Sequence, residues 1–324
     1  MKLTELQQVN ALIGLSKPIE GWPSTLLDLG YELERMELSL SLASVRPGIT
    51  EKVTPDLFFL AESRNYSFLV ELKSGTFQDL SQPDKLVRVT PKDLIQYGRV
   101  AAQSVSRTHK ISVAVIINEE HLSQFQSEFQ RKNHAASLIS IGDSFIKTQH
   151  GTLADTKAAR IFQDGIDISS ARIPTKLIPV LPTADNKYEL AKSVINSFKY
   201  FWLNNEYSVT PQSIALQVFG RIWGAIDSDA QKQYLNSTKT ILREMSGTEF
   251  HTYMRHVPEK TDEYKLLKLP ETSKRGQPTR DKQTFQKALE SYRQRKLNNK
   301  EYTERVLSQE NWLDMLDEPI QEDE

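Results

Sequence analysis

T-P-D-L-F-F-L-A-E-S-R-N-Y-S-F-L-V-E-L-K-S-G, residues 54–75, reads as two strands, 56–61 and 68–73, joined by the polar, turn-prone E-S-R-N-Y-S. With the turn centred between Ser63 and Arg64, antiparallel pairing sets residues opposite one another when their numbers add to 127, so Asp56 faces Glu71. Side chains alternate along a strand, so Glu71 and Lys73 share a face while Val70 and Leu72 point the other way. Directly opposed carboxylates are destabilising unless a cation lies between them. These strands are otherwise apolar on both faces, where unpaired charge is least expected. Asp56, Glu71 and Lys73 are therefore expected to converge as a reactive or cation-binding trio. The plain alternative is an edge hairpin with a surface Glu71–Lys73 pair and a turn-favouring Pro55-Asp56.

Upstream, residues 4–15 place Leu6, Val9, Leu12 and Ile13 near helical spacing, and Thr4 with Gln7 has the form of a capping box, which predicts a first helix. Residues 26–29 suit a second, short one. Residues 31–42 alternate loosely and read as a strand, followed by the loop R-P-G-I-T-E-K-V-T at 46–54. Downstream, 91–106 predicts an amphipathic helix opened by Pro91, and 111–117 a Val- and Ile-rich strand suited to a buried parallel position. Residues 119–132 read as a helix and 137–141 as a short strand. Prolines 174, 179 and 182 then interrupt any regular element. Beyond them, helices are expected at 188–204, 211–226 and 229–245, followed by a hairpin from 249–256 and 264–269 around P-E-K-T-D-E.

The chain as a whole bounds what this site can be. At 324 residues it is long enough for about two domains. With no cysteine, disulfides, thiolate nucleophiles and cysteine-type zinc sites are excluded, and any metal must be held by oxygen or by the six histidines, which show no close ligand spacing. No run approaches the roughly 18 to 20 apolar residues that span a bilayer, and the start lacks the apolar stretch of a signal peptide, so a cytoplasmic location without membrane attachment is expected. The net charge of −1 hides an asymmetry. Residues 251–305 carry fourteen Lys and Arg against eight Asp and Glu, whereas 308–324 carry seven acids and no base.

Pro55-Asp56, fourteen intervening residues and then Glu71-Leu72-Lys73 resemble the signature of the PD-(D/E)XK, or restriction-endonuclease-like, superfamily. The surrounding elements resemble that family's αβββαβ core. The resemblance implies an α/β fold with a mixed sheet and a metal-dependent DNA endonuclease of restriction, phage defence, transposition or repair. It implies Mg²⁺ or Mn²⁺ held by Asp56, Glu71 and the backbone carbonyl of Leu72, an oxygen-only set that suits a hard cation. Lys73 would orient the attacking water or stabilise the transition state. Asp93-Leu94-Ile95-Gln96-Tyr97 is similar to a helix in which a Gln reaches back to the site, making Gln96 a fourth catalytic candidate. A further acid on or after the first helix would be Glu5 or Glu20. A chain that keeps this fold for DNA binding or assembly alone is the competing expectation.

The expected layout is a nuclease domain at 1–150, an irregular linker at 151–186, a helical, winged-helix-like DNA-binding domain at 187–270, and a basic arm and acidic tail at 271–324. In the winged-helix reading, Lys239 and Arg243 lie on the recognition helix and Arg255, Lys260 and Lys265 on the wing. The alternative for this region is a helical cap or dimerisation domain, with Phe198, Trp202, Phe219 and Trp223 as its core, which would make the protein a homodimer. Lys274 and Arg275 open a phosphate-binding arm, K-R-G-Q-P-T-R, and the acidic tail with Trp312 and Leu313 suits a protein partner. Deleting residues 274–300 is expected to flatten the dependence of log affinity for duplex DNA on log salt by about 0.9 for each lost phosphate contact. An unchanged slope in an anisotropy titration would remove the arm from the interface.

Overall fold

The computed structural model describes residues 2–267 and 291, apart from 44–49, 77–78, 97–103, 107, 175–176, 184–186, 205, 249, 252, 259 and 261. Lys274, Arg275, the arm, the acidic tail and the Trp202 side chain lie outside the described residues. The chain divides into two compact units, residues 1–182 with 219–231, and 183–218 with 232–324. Among the described residues no helix is long and apolar enough to cross a membrane.

The first unit is a mixed α/β structure. Helix α1 (Glu5–Leu15) opens on the expected capping box: Thr4 Oγ1 accepts from Gln7 N and Gln7 Oε1 accepts from Thr4 N. Helix α2 (Thr25–Asp28) follows. The strand expected over 31–42 is in fact two, β1 (Glu32–Met36) and β2 (Leu40–Ala43), because Glu37 adopts a left-handed backbone, φ 55°, that no strand can continue through. Part of the expected loop is strand β3 (Thr50–Val53), which pairs antiparallel with β2. Then come β4 (Leu57–Ala61), β5 (Tyr66–Lys73), α3 (Ser81–Leu86), α4 (Pro91–Gln96) and β6 (Lys110–Asn118). A 3₁₀ turn at Glu119–His121 leads into α5 (Leu122–Lys132) and β7 (Ser137–Ile141). The helix expected at 91–106 is described only as far as Gln96.

Residues 151–182 belong to this unit and are not the expected linker. β8 (Phe145–His150), α6 (Thr156–Asp164) and β9 (Ile166–Asp167) extend the sheet to the order β1-β4-β5-β6-β7-β8-β9. β5, β6 and β7 run parallel to one another, and the flanking pairs are antiparallel. A continuous apolar layer covers one face, where Phe58, Leu60, Leu69, Val113, Val115 and Ile117 meet residues of β2, β3, α3, α4 and α5. On the opposite face Phe68 meets Phe59, Tyr31 and Phe162 with ring centroids 6.0–6.5 Å apart. Such pairs contribute roughly 0.5–1.5 kcal/mol each beyond area burial.

The second unit runs α7 (Lys187–Leu203), β10 (Ser208–Val209), α8 (Pro211–Phe219), α9 (Ser228–Gly247), β11 (Met254–His256) and β12 (Tyr264–Leu266). Its sheet has the order β10-β12-β11. The hairpin expected after the helices is present, joined by a third short strand that has no period-two pattern to betray it. The helix expected at 211–226 stops at Phe219, since Gly220 is left-handed at φ 53°, and a 3₁₀ turn at Gly220–Ala225 follows. Phe198 is buried in this unit, whereas Phe219 and Trp223, also buried, fall in the first unit and so are not part of the core expected for the second.

Asp155 ties three segments of the first unit together. Its carboxylate caps α6 through Lys157 N and Ala158 N, accepts from Tyr31 Oη at 3.1 Å and pairs with Arg64 Nη2 at 2.7 Å, while it is 1% exposed. Removing one partner of a buried ion pair leaves the other unpaired and costs about 3–5 kcal/mol. Asp155→Ala is accordingly expected to lose about that much in urea unfolding, and Asp155→Asn, which keeps a capping oxygen, clearly less. Equal stability of Asp155→Ala and wild type would contradict this role.

Candidate metal centre

The register of the central hairpin is the one the turn dictates. Leu57 pairs with Val70, Phe58 with Leu69, Phe59 with Phe68, Leu60 with Ser67 and Ala61 with Tyr66. The turn is a single 3₁₀ turn, Glu62–Arg64, closed by Asn65 in the left-handed conformation at φ 58°. Asn is one of the few residues that tolerates it. β5 is longer than β4, so its last residues reach past the end of β4 and are held on the other side by β6, Glu71 opposite Val115 and Lys73 opposite Ile117. Continuing the hairpin register sets Asp56 against Glu71 and Pro55 against Leu72.

That extension explains why the two residues before β4 are Pro and Asp. Asp56 Oδ2 accepts from Leu72 N at 2.6 Å, taking the place of a strand carbonyl. Pro55 has no N–H, so it offers nothing to the Leu72 carbonyl that would face it in the ladder. Because a strand residue presents its N–H and C=O to the same side, that carbonyl faces the side on which Asp56 lies. Glu37 N donates to Asp56 O at 3.0 Å, which fixes the Asp56 backbone from β1.

The trio expected from the sequence does come together. Lys73 Nζ lies 2.8 Å from Glu71 Oε1, and Glu71 is 6% exposed with its other oxygen, Oε2, buried and without a hydrogen-bond partner. Burial, then the charges of Glu71 and Glu37, hold the Asp56 carboxyl well above its ordinary pKa. Burial also raises Glu71, against the lowering effect of Lys73. Burial alone would lower Lys73, but Glu71, Asp56 and Asp79 outweigh it and keep the ammonium above its usual value.

Of the two extra acids, Glu5 is the one near the site. It sits in the first turn of α1, its pKa is raised by burial and partly offset by Lys73, and its charge acts on both Asp56 and Glu71. Glu20 is exposed in the turn after the other end of α1, a helix of 11 residues and so about 16 Å long. Gln96 is exposed at the last described turn of α4, where it lines a cleft with Thr90, Ile95 and Val105.

Three residues of the site escaped the sequence reading. Glu37 carried no signal except an acid where alternation falters, and Asp79 stands on a loop after the second strand. Asn118 ends an apolar strand, and its buried amide holds the geometry: Oδ1 accepts from Leu3 N and Gln8 Nε2, and Nδ2 donates to Leu3 O and Ser74 O. It thereby ties the approach to α1, and with it Glu5, to the residue after Lys73.

A family model, the MJECL32 domain, matches residues 4–178. The chain belongs to the MJECL32 domain family. No curated protein and no solved structure matches it. The MJECL32 segment takes in Glu5, Glu37, Asp56, Glu71, Lys73 and Asn118 together, and it runs through α6 and β9 to the end of the first unit's contiguous stretch.

The donor set of this MJECL32 domain suits a hard divalent cation. It offers two carboxylates with raised pKa, one of them with an orphaned buried oxygen, and a strand carbonyl whose ladder position across the hairpin is occupied by Pro55. Among the described residues no three acid or histidine side chains converge to hold a metal by themselves, so the carbonyl would have to complete the set.

The raised values fix the sign of a pH effect. An acid whose folded pKa lies above its unfolded value, near 3.8 for Asp56 and 4.5 for Glu71, stabilises the fold below that value. The contribution is lost as pH rises through the folded pKa. These two groups therefore take stability away from metal-free wild type from about pH 4 upward, and Asp56→Asn is expected to lose less than wild type over that range and to exceed it at neutral pH. Parallel pH–stability curves for the two proteins would refute the raised Asp56 pKa.

Proposed function

We propose that the first unit is a metal-dependent phosphodiesterase of the PD-(D/E)XK type that cleaves DNA. The observation that carries this reading is the joint placement of Asp56, the Leu72 main chain, Glu71 and Lys73 at the open end of β4 and β5. The sheet supports it: β1, β4 and β5 form an antiparallel run, β6 joins parallel to β5, and helices α3 and α4 intervene, an arrangement compatible with a restriction-endonuclease-like core in which β2 and β3 are an insertion. In the second unit the succession α7-β10-α8-α9-β11-β12 with sheet order β10-β12-β11 resembles a winged helix, which favours reading a DNA-binding module there.

Asp56, Glu71 and the Leu72 carbonyl would hold Mg²⁺ or Mn²⁺. Such an ion, when bound, lowers the pKa of a coordinated water and offsets charge on the scissile phosphate. Lys73, kept protonated by Glu71, supplies a fixed positive charge where the phosphorane charge grows, and it can orient the attacking water. The Leu72 N–H holds Asp56 in place before any substrate arrives, so the group needs no reorganisation.

The test is cleavage of plasmid and linear DNA with Mg²⁺, Mn²⁺ or EDTA. Asp56→Ala, Glu71→Ala and Lys73→Ala are each expected to lower the rate by about 100-fold or more with the fold intact, since these groups act on the transition state. Mg²⁺ or Mn²⁺ should also raise the wild-type melting temperature by mass action, an effect lost in Asp56→Asn. Cleavage by Lys73→Ala at the wild-type rate would overturn the site, and metal-independent melting with no cleavage would leave a fold retained for binding.

A further inference from the structure

We propose that a groove of the second unit, between the carboxyl-terminal half of α9 and the β11–β12 hairpin, binds the phosphodiester backbone of DNA, with Asp262 holding its central lysine in reserve. Lys239 and Arg243 stand one turn apart on one stripe of α9, and Ser246 and Gly247 continue it. Across from them are His256, Lys260 and Tyr264, enclosing a cleft of about 570 Å³. An adjoining cleft of about 450 Å³ shares Lys239 and Asp262 and is lined by Thr210 and Gln212 at the start of α8 and by Asn236. Three permanent cations thus meet two acids, Asp262 on Lys239 and Glu263 on Lys260, beside neutral hydrogen-bonding groups that suit sugar and phosphate oxygens.

The cations are positioned before any ligand is present. Arg243 is exposed, and its charge acts on the hydroxyl of Tyr264, which is 2% exposed and packs edge-on against the His256 ring at 5.2 Å. Lys239 Nζ lies 2.6 Å and 2.8 Å from the two oxygens of Asp262, and Asp262 is held in a left-handed backbone at φ 67°. That conformation aims a carboxylate at the lysine from a tight turn, where Asn would serve equally well. A phosphate entering the groove would compete with Asp262 for Lys239, so the acid tunes affinity downward. Lys260 is tethered to Glu263 at 2.8 Å and is 63% exposed, free to turn its charge toward a strand passing over the cleft. Arg255 and Lys265 are not part of this surface, because they pair directly across the hairpin on the face opposite Met254 and Tyr264.

The proposal concerns binding by the second unit and is independent of cleavage by the first. The full chain is titrated in EDTA, where no cleavage interferes, against a fluorescent duplex carrying either 5′-hydroxyl or 5′-phosphate ends. The double variant Arg243→Ala, Lys260→Ala should lose on the order of tenfold affinity near 0.1 M salt and flatten the log–log salt slope by about 1.8. Asp262→Asn should bind more tightly than wild type, a gain that a purely structural role for the Lys239–Asp262 pair would not produce. Unchanged affinity in the double variant or weaker binding by Asp262→Asn would overturn the proposal, and so would affinity that depends on a 5′-phosphate.

Discussion

The early end of β4 governs the site. Because the strand stops at Leu57, the last turn of pairing along β5 has no strand across from it, and the Leu72 N–H is taken by the Asp56 carboxylate at 2.6 Å. An unmade main-chain hydrogen bond in a buried setting costs about 1–3 kcal/mol, so this exchange holds the strand end in place as well as the acid. The same geometry leaves the Leu72 carbonyl opposite a proline. One local constraint therefore orients Asp56, leaves a carbonyl facing a residue that cannot donate to it and sets Glu71 and Lys73 past the paired part of the hairpin.

What could be read from the sequence was what depends on short-range register. Asp56, Glu71 and Lys73 are separated by a turn whose length fixes the pairing, and the alternation of strand side chains then places Glu71 beside Lys73. The capping box at Thr4 and Gln7 and the buried parallel strand β6 are equally local, and both are present as the sequence implied. A first-turn acid such as Glu5 is favoured by the helix dipole anyway, so its position in the sequence does not by itself assign it to the site. Only the fold, by bringing the start of α1 to the end of β5, gives that acid a second reason to be there.

The remainder was hidden because its cause is long-range. Asn118 lies 44 residues from Ser74 and 115 from Leu3, and its hydrogen bonds leave no trace in local pattern. Residues 151–167 look like a linker, with loops around short polar segments, yet α6 and β9 are held by Asp155 and by the edge of the sheet. β10 is two residues long and exists only because β12 is beside it. Glu37 is the reverse case: a strong β pattern on either side predicted one strand, and a left-handed residue with its N–H on Asp56 made two. Strain of roughly 1–3 kcal/mol at a non-glycine residue is retained where the surroundings over-determine it, and here they do so beside the candidate site.

The electrostatics of the first unit show how such a site is tolerated. Burial with the charges of Glu71, Glu37 and Glu5 raises Asp56, and burial with the charges of Glu5 and Asp79 raises Glu71 against Lys73, so these two carboxyls resist ionisation in the folded state. A protein optimised for stability alone would replace Asp56 or Glu71 by an apolar residue and extend β4 over Leu72. The compensation lies elsewhere in the same unit. The Phe68 aromatic cluster, the Asp155 network and the Asn118 bridge each tie separate segments to β5 or its ends, and none of them uses a charge of the site. A scaffold held from both faces can carry an acidic strand end that is at odds with its own surroundings, and that mismatch is what a divalent cation would relieve.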